Sequence, residues 1–173
     1  MEQLSSRLRD EHIDYVIIGG MALVLHGYVR VTGDVDVVTT PDGLSAIHER
    51  LVGRGYRPSF EGSRKKLRDT ETGVDVEFIT TGEYPGDGKP KPVRFPDPNE
   101  VAEERQGIRV ISLAKLIELK LASGLSAEHR RLRDLADVQD LIIALKLPRQ
   151  MGNDIDSSVR DEYFRMWDAA QEG

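Results

Sequence analysis

An apolar run, Tyr15-Val16-Ile17-Ile18, stops on the pair Gly19-Gly20, and after a spacer of 13 residues the chain reads Asp34-Val35-Asp36-Val37-Val38. Alternation along an extended segment puts Asp34 and Asp36 on one side, roughly 7 Å apart, with Val35 and Val37 on the other. The valines favour the interior of a sheet, where an uncompensated carboxylate would cost several kcal/mol. Two like charges on one face also repel each other unless a cation neutralises them. A divalent metal resolves both conflicts, and an all-oxygen donor set with positions left for water and phosphate suits Mg²⁺, or Mn²⁺ in its place.

The surrounding pattern is that of an α+β chain with a small mixed sheet. Leu4, Leu8 and Ile13 mark an amphipathic opening helix, and Tyr15 to Ile18 reads as a buried strand. A short helix over Met21 to His26 starts directly at the glycines and is closed by Gly27, so its free N–H groups offer donors to an anion. Val35 to Thr39 is the second strand, and Pro41-Asp42 opens a helix through Leu51 that Gly53 to Gly55 ends. Residues 64–69 and 74–79 form two strands around the turn Thr70-Glu71-Thr72-Gly73. Gly82 to Pro98 holds five of the eight prolines and three glycines and must be a loop, with a short extended piece at Val93 to Phe95.

Ile108 to Ile111 is a further strand, after which Ser112 caps a helix that Gly124 ends; a second helix runs from about Ala127 to Leu145. Val159, Tyr163, Met166 and Trp167 share one face of the tail, which therefore docks in cis or across a homodimer. The expected organisation is a palm-like sheet domain over 1–111 and a helical region over 112–173 packed on it.

Composition narrows the chemistry. The 173 residues include no cysteine, which removes disulfides, thiolate metal sites and cysteine nucleophiles together. The four histidines, His12, His26, His48 and His129, form no ligand pair at helical spacing, so any metal is bound by oxygen. No apolar run approaches a membrane span and no signal-peptide core opens the chain; the expectation is a cytoplasmic protein with no membrane partner. The net charge of -6 argues against a general nucleic-acid coat, although Arg64-Lys65-Lys66 and Arg130-Arg131-Leu132-Arg133 are local basic clusters.

Two-metal phosphoryl chemistry needs a third carboxylate from a neighbouring strand. Val74-Asp75-Val76-Glu77-Phe78 offers two on one face: Asp75, favoured because its shorter side chain suits a tight metal bridge and a general-base role, and Glu77 one pleat further on. With these pieces in order, the chain resembles the nucleotidyltransferase superfamily that shares the DNA polymerase β palm, and in particular its minimal, abortive-infection or toxin-like members. The resemblance rests on Ile18-Gly19-Gly20, on Asp34-Val35-Asp36-Val37, on His26 to Thr32 before the aspartates, and on Ile117-Glu118-Leu119-Lys120-Leu121 followed by Arg131 to Val138. Together these cover about a third of the chain.

The resemblance implies transfer of a nucleoside monophosphate from an NTP to an acceptor, with release of pyrophosphate. Gly19 and Gly20 would admit the triphosphate to the backbone; many relatives carry Ser where this chain has Gly20. Asp34 and Asp36, with Asp75 or Glu77, would hold the metals. Lys120 would reach the triphosphate or nucleotide, Arg30 would contact phosphate or pair with a carboxylate, and Asp134 or Asp137 would pair with or orient Lys120. The acceptor, whether small molecule, tRNA or protein, stays open. So do two other readings: a catalytically silent nucleotide- or partner-binding module, and the toxin half of a toxin–antitoxin pair.

Overall fold

In the computed structural model, which describes residues 1–172, the chain divides into two compact units. The first comprises Met1–Gly82 and Pro96–Ile111; the second comprises Glu83–Phe95 and the chain from Ser112 onward. The proline-rich segment thus clusters with the later helices rather than with the sheet that precedes it.

The first unit is built on a seven-stranded mixed sheet of order β3-β4-β5-β2-β1-β7-β6. Its strands are β1 (Tyr15–Ile18), β2 (Asp34–Thr39), β3 (Tyr56–Pro58), β4 (Lys66–Asp69), β5 (Asp75–Thr80), β6 (Ala102–Arg105) and β7 (Ile108–Ile111). Helices α1 (Glu2–Asp10), α2 (Gly19–Leu25), α3 (Pro41–Leu51) and the single turn α4 (Pro98–Val101) connect them. Strand β2 runs antiparallel to β1 and parallel to β5, and β1 runs parallel to β7. The central strands are the most apolar: all of β1 is buried, and Val37, Val38, Leu67, Phe78 and Val110 are fully enclosed. Local chemistry sets the boundaries. The Thr40 hydroxyl accepts the Gly43 N–H at 2.9 Å and Pro41 fills the first turn of α3.

The second unit contains α5 (Leu113–Ser126), α6 (Glu128–Ala144), a 3-10 turn (Arg149–Asp154) and α7 (Ser157–Gln171). The apolar face of α7 is occupied in cis: Val159, Tyr163 and Met166 are buried, and the Trp167 indole N–H donates to the Leu147 carbonyl at 2.7 Å. The proline-rich segment closes on itself, with the Phe95 N–H donating to the Glu83 carbonyl and the Lys91 ammonium to the Pro85 carbonyl and the Asp87 carboxylate.

Several expectations are corrected. Val93 is buried, but residues 93–95 form no strand because Phe95 bonds within its own loop rather than to a sheet edge. Gly124 does not end α5; it lies inside the helix, where a Cβ would stand 2.9 Å from the Leu135 side chain, so it permits the close crossing of α5 and α6. Ser112 precedes α5 without a side-chain cap. Strands β3 and β6 were not anticipated: Tyr56-Arg57-Pro58 is short and holds a proline, and Ala102-Glu103-Glu104-Arg105 lacks apolar alternation.

Among the described residues no helix is long and apolar enough to cross a membrane. His26, at the C-terminus of α2, is buried; its Nε2–H donates to the Ile111 carbonyl at 2.7 Å, and its Nδ1 has no hydrogen-bond partner among the described residues. Burial therefore lowers the imidazole pKa below its ordinary 6.5. The native state keeps the ring neutral while the unfolded chain takes up a proton, so stability is full above about 6.5 and falls as pH drops through that value toward the lower native pKa. Urea midpoints measured from pH 7.5 down to pH 5, about the range in which an imidazole titrates, are expected to fall in the wild type, and a His26→Gln variant is expected to lose that part of the slope.

Candidate active site

Sheet register gathers the carboxylates. On the parallel pair β2–β5, Asp34 stands beside Asp75 and Asp36 beside Glu77, which makes a two-by-two grid of acids on one face. Their neighbours in sequence, Val35 and Val76, are buried on the opposite face. Adjacent strands are about 4.8 Å apart, so the grid is compact enough for side chains from both strands to meet over it. Strand β4 borders it with cations: Lys66 is opposite Glu77 and Arg68 opposite Asp75.

The individual carboxylates are held differently. Asp36 is level with Ile18 at the end of β1, and its Oδ2 stands 2.0 Å from where a Cβ on Gly19 would be. Gly19 also has φ +63, a left-handed conformation. Both facts require glycine, and both follow from the abrupt passage of β1 into α2. Gly20 leaves room for another group: a Cβ there would lie 2.8 Å from the Thr32 hydroxyl, which donates to the Asp34 carbonyl and to Asp34 Oδ1, each at 3.2 Å. Asp75 accepts from the Ser59 hydroxyl at 3.1 Å and pairs with Arg68 at 3.5 Å and Lys66 at 3.8 Å. Arg30 is half-buried between Val29 and Val31, which are 94% and 97% exposed.

Sequence reasoning does not bring Thr32, Ser59 or Arg68 to the site, and it names Lys66 only within the basic cluster Arg64-Lys65-Lys66. The period-two alternation of Lys66 and Arg68 with buried Leu67 was their signal, but it matters only once β4 is known to pair with β5.

The donor set fits a hard divalent cation: carboxylate oxygens only, from adjacent strands, on a face that keeps partial access to solvent. Among the described residues, however, no three such side chains converge as they stand, Asp34, Asp36 and Glu77 included; the Asp75 carboxylate is turned to Ser59 and the β4 cations. Glu77 lies level with Asp36.

Lys120, the fifth candidate catalytic residue, belongs to the second unit. Its ammonium donates to Asp137 at 2.6 Å and to Asp134 at 3.2 Å, and the Ser123 hydroxyl donates to the other Asp134 oxygen at 2.6 Å. The Lys120, Asp134 and Asp137 side chains are 11%, 9% and 8% exposed, so the cluster is an internal brace between α5 and α6. Asp134, a candidate nucleotide contact, thus uses both oxygens inside the protein.

This architecture matches solved structures. A candidate nucleotidyltransferase from Thermotoga maritima superposes with a TM-score of 0.53 over 79% of this chain and 89% of its own, at 23% identity. A candidate nucleotidyltransferase from H. pylori superposes with a TM-score of 0.52 over 99% of this chain and 90% of its own, at 15% identity. The fold is nucleotidyltransferase-like. No protein-family profile matches the chain, and no curated protein matches it. Within a nucleotidyltransferase-like fold the acidic grid sits on the central strands, at the end of β1 where Gly19 opens α2.

Two outcomes follow from this geometry. Gly19→Ala is expected to lower stability by about 1–2 kcal/mol through left-handed strain alone, and further through contact with Asp36, as measured by urea unfolding. Lys120→Met, which strands two buried carboxylates, is expected to cost about 3–5 kcal/mol, whereas a lysine free to serve only a ligand would leave the unfolding midpoint unchanged.

Proposed function

We propose that the protein is a metal-dependent nucleotidyltransferase that moves a nucleoside monophosphate from an NTP to an acceptor hydroxyl or phosphate and releases pyrophosphate. The observation that carries this reading is the register of Asp34 with Asp75 and Asp36 with Glu77, directly beside the Gly19 turn. Four acids in register on a sheet face repel one another and weaken the strand pairing, and cations relieve that repulsion. Lys66 and Arg68 offset part of it, and Mg²⁺ or Mn²⁺ offsets the remainder.

Asp34 and Asp36 hold the metals in this reading, with Glu77 or Asp75 as the third ligand. The level placement of Glu77 with Asp36, and the engagement of Asp75 by three protein groups, favour Glu77. Bound divalent cations supply charge neutralisation for the entering and leaving oxygens. The chain's own residues do the rest. Thr32 fixes Asp34, Gly19 admits Asp36, and the backbone N–H groups at Gly19 and Gly20 receive the triphosphate, with Arg30, four residues before Asp34, as a cation for it. The acceptor oxygen attacks the α-phosphorus and the bond to the bridging oxygen breaks. Pyrophosphate departs, and the acceptor proton passes to a free carboxylate of the grid or to water.

Pyrophosphate release, measured with each NTP, Mg²⁺ and a panel of acceptors, tests the proposal. Asp34→Asn and Asp36→Asn are each expected to lower the rate at least about 100-fold, the scale of losing a charge that stabilises the transition state. Of the strand β5 pair, Glu77→Gln is expected to match them and Asp75→Asn to retain measurable activity. Wild-type rates in both single aspartate variants of β2 would refute the assignment.

A further inference from the structure

The edge of the sheet next to the acidic grid carries the opposite charge. Residues 54–68 hold six basic side chains against one acid, Glu61, in a chain whose net charge is -6. Their arrangement is ordered by the sheet. Arg57 on β3 is directly opposite Arg68 on β4, Arg68 is opposite Asp75, and Asp75 is beside Asp34. Side chains paired in register share a face, so one row reads Arg57, Arg68, Asp75, Asp34. The companion row on the other face, Pro58, Leu67, Val76, Val35, is apolar.

Arg68 answers the charge of Asp75, but scaffold needs do not account for Arg57. Like charges directly opposite one another destabilise a strand pair. Because β3 ends the sheet, Arg57 has no second strand to offer it an acid. Among the described residues its guanidinium makes one hydrogen bond, a long one of 3.4 Å, to the carbonyl of its own neighbour Pro58. Both arginines are exposed. Arg64 and Lys65, in the connection between β3 and β4, are exposed as well. At the hairpin tip Phe60 is 64% exposed, next to Ser59, which bonds Asp75.

A track of cations with an aromatic platform, leading to carboxylates, matches a polyanion with planar bases. We infer that the acceptor is a single-stranded nucleic acid, its phosphates lying along Arg57, Arg68, Arg64 and Lys65, a base stacked on Phe60, and its terminal hydroxyl delivered to the acidic grid. This rests on the nucleotidyl-transfer reading. The hydroxyl oxygen forms the new bond to the NTP α-phosphorus, pyrophosphate leaves with the electrons of the broken bond, and the hydroxyl proton goes to a grid carboxylate or water.

Fluorescence anisotropy of a short labelled single-stranded RNA, and of DNA of the same sequence, with the full chain and no NTP, tests the surface. Binding is expected to weaken steeply between ~50 and ~200 mM salt, and Arg57→Gln/Arg68→Gln is expected to reduce the slope of log K against log salt by about 2. Phe60→Ala is expected to weaken binding about tenfold or more, the scale of losing one stacked base. Arg57→Gln alone is expected to raise the thermal midpoint or leave it unchanged while affinity falls, which a structural arginine would not do. Preference for RNA or for DNA identifies the sugar, and either supports the inference. No strand binding, or binding indifferent to all three substitutions, overturns it. Pyrophosphate release with a small hydroxyl acceptor would then leave nucleotidyl transfer standing. Strand binding that obeys the substitutions, with no pyrophosphate release from any NTP, would instead contradict nucleotidyl transfer and keep the binding surface.

Discussion

The contact on which the site depends is the approach of the Asp36 carboxylate to the backbone of Gly19. Strand β1 passes into α2 without a loop, and the first helical residue takes a left-handed φ of +63. Any side chain there would occupy the position of Asp36 Oδ2. This single steric fact ties the glycine turn to the aspartate pair across 17 residues of chain, and it leaves room for one carboxylate at the end of the sheet. Thr32 does a related service for Asp34, in the space that Gly20 leaves open.

From that point the sheet orders charge by register. Acids stand on β2 and β5, cations on β4 and β3, and each step across the sheet is a direct neighbour. A grid of like charges would be unstable in isolation, and the β4 cations offset it without filling it. The second unit handles its own buried charge in another way. Lys120 is closed by two carboxylates and a serine hydroxyl relay, an arrangement that braces two helices and holds polar groups away from water.

Much of this was legible in the residues. Period-two alternation around Asp34 and Asp36, and again around Asp75 and Glu77, was enough to place four acids on strand faces, and Pro41 and the glycines bounded the early elements. What stayed hidden was set by pairing. Tyr56-Arg57-Pro58 carries too few residues to announce a strand, yet its position at the edge puts Arg57 against Arg68. Gly124 reads locally as a helix end and is instead a packing contact with Leu135, because propensity gives way where two helices cross closely. The partners of Asp75 depend on a hairpin whose tip returns Ser59 to β5, which no local pattern encodes.

The central claim is that the acidic grid serves transfer of a nucleoside monophosphate. Parallel reactions with NTP labelled at the α-phosphate and at the γ-phosphate test it most directly. The account predicts α-label on the acceptor and γ-label in pyrophosphate, with both products lost in Asp36→Asn. Transfer of the γ-label to the acceptor, or its appearance as inorganic phosphate while the α-label stays in a nucleoside diphosphate, would contradict it.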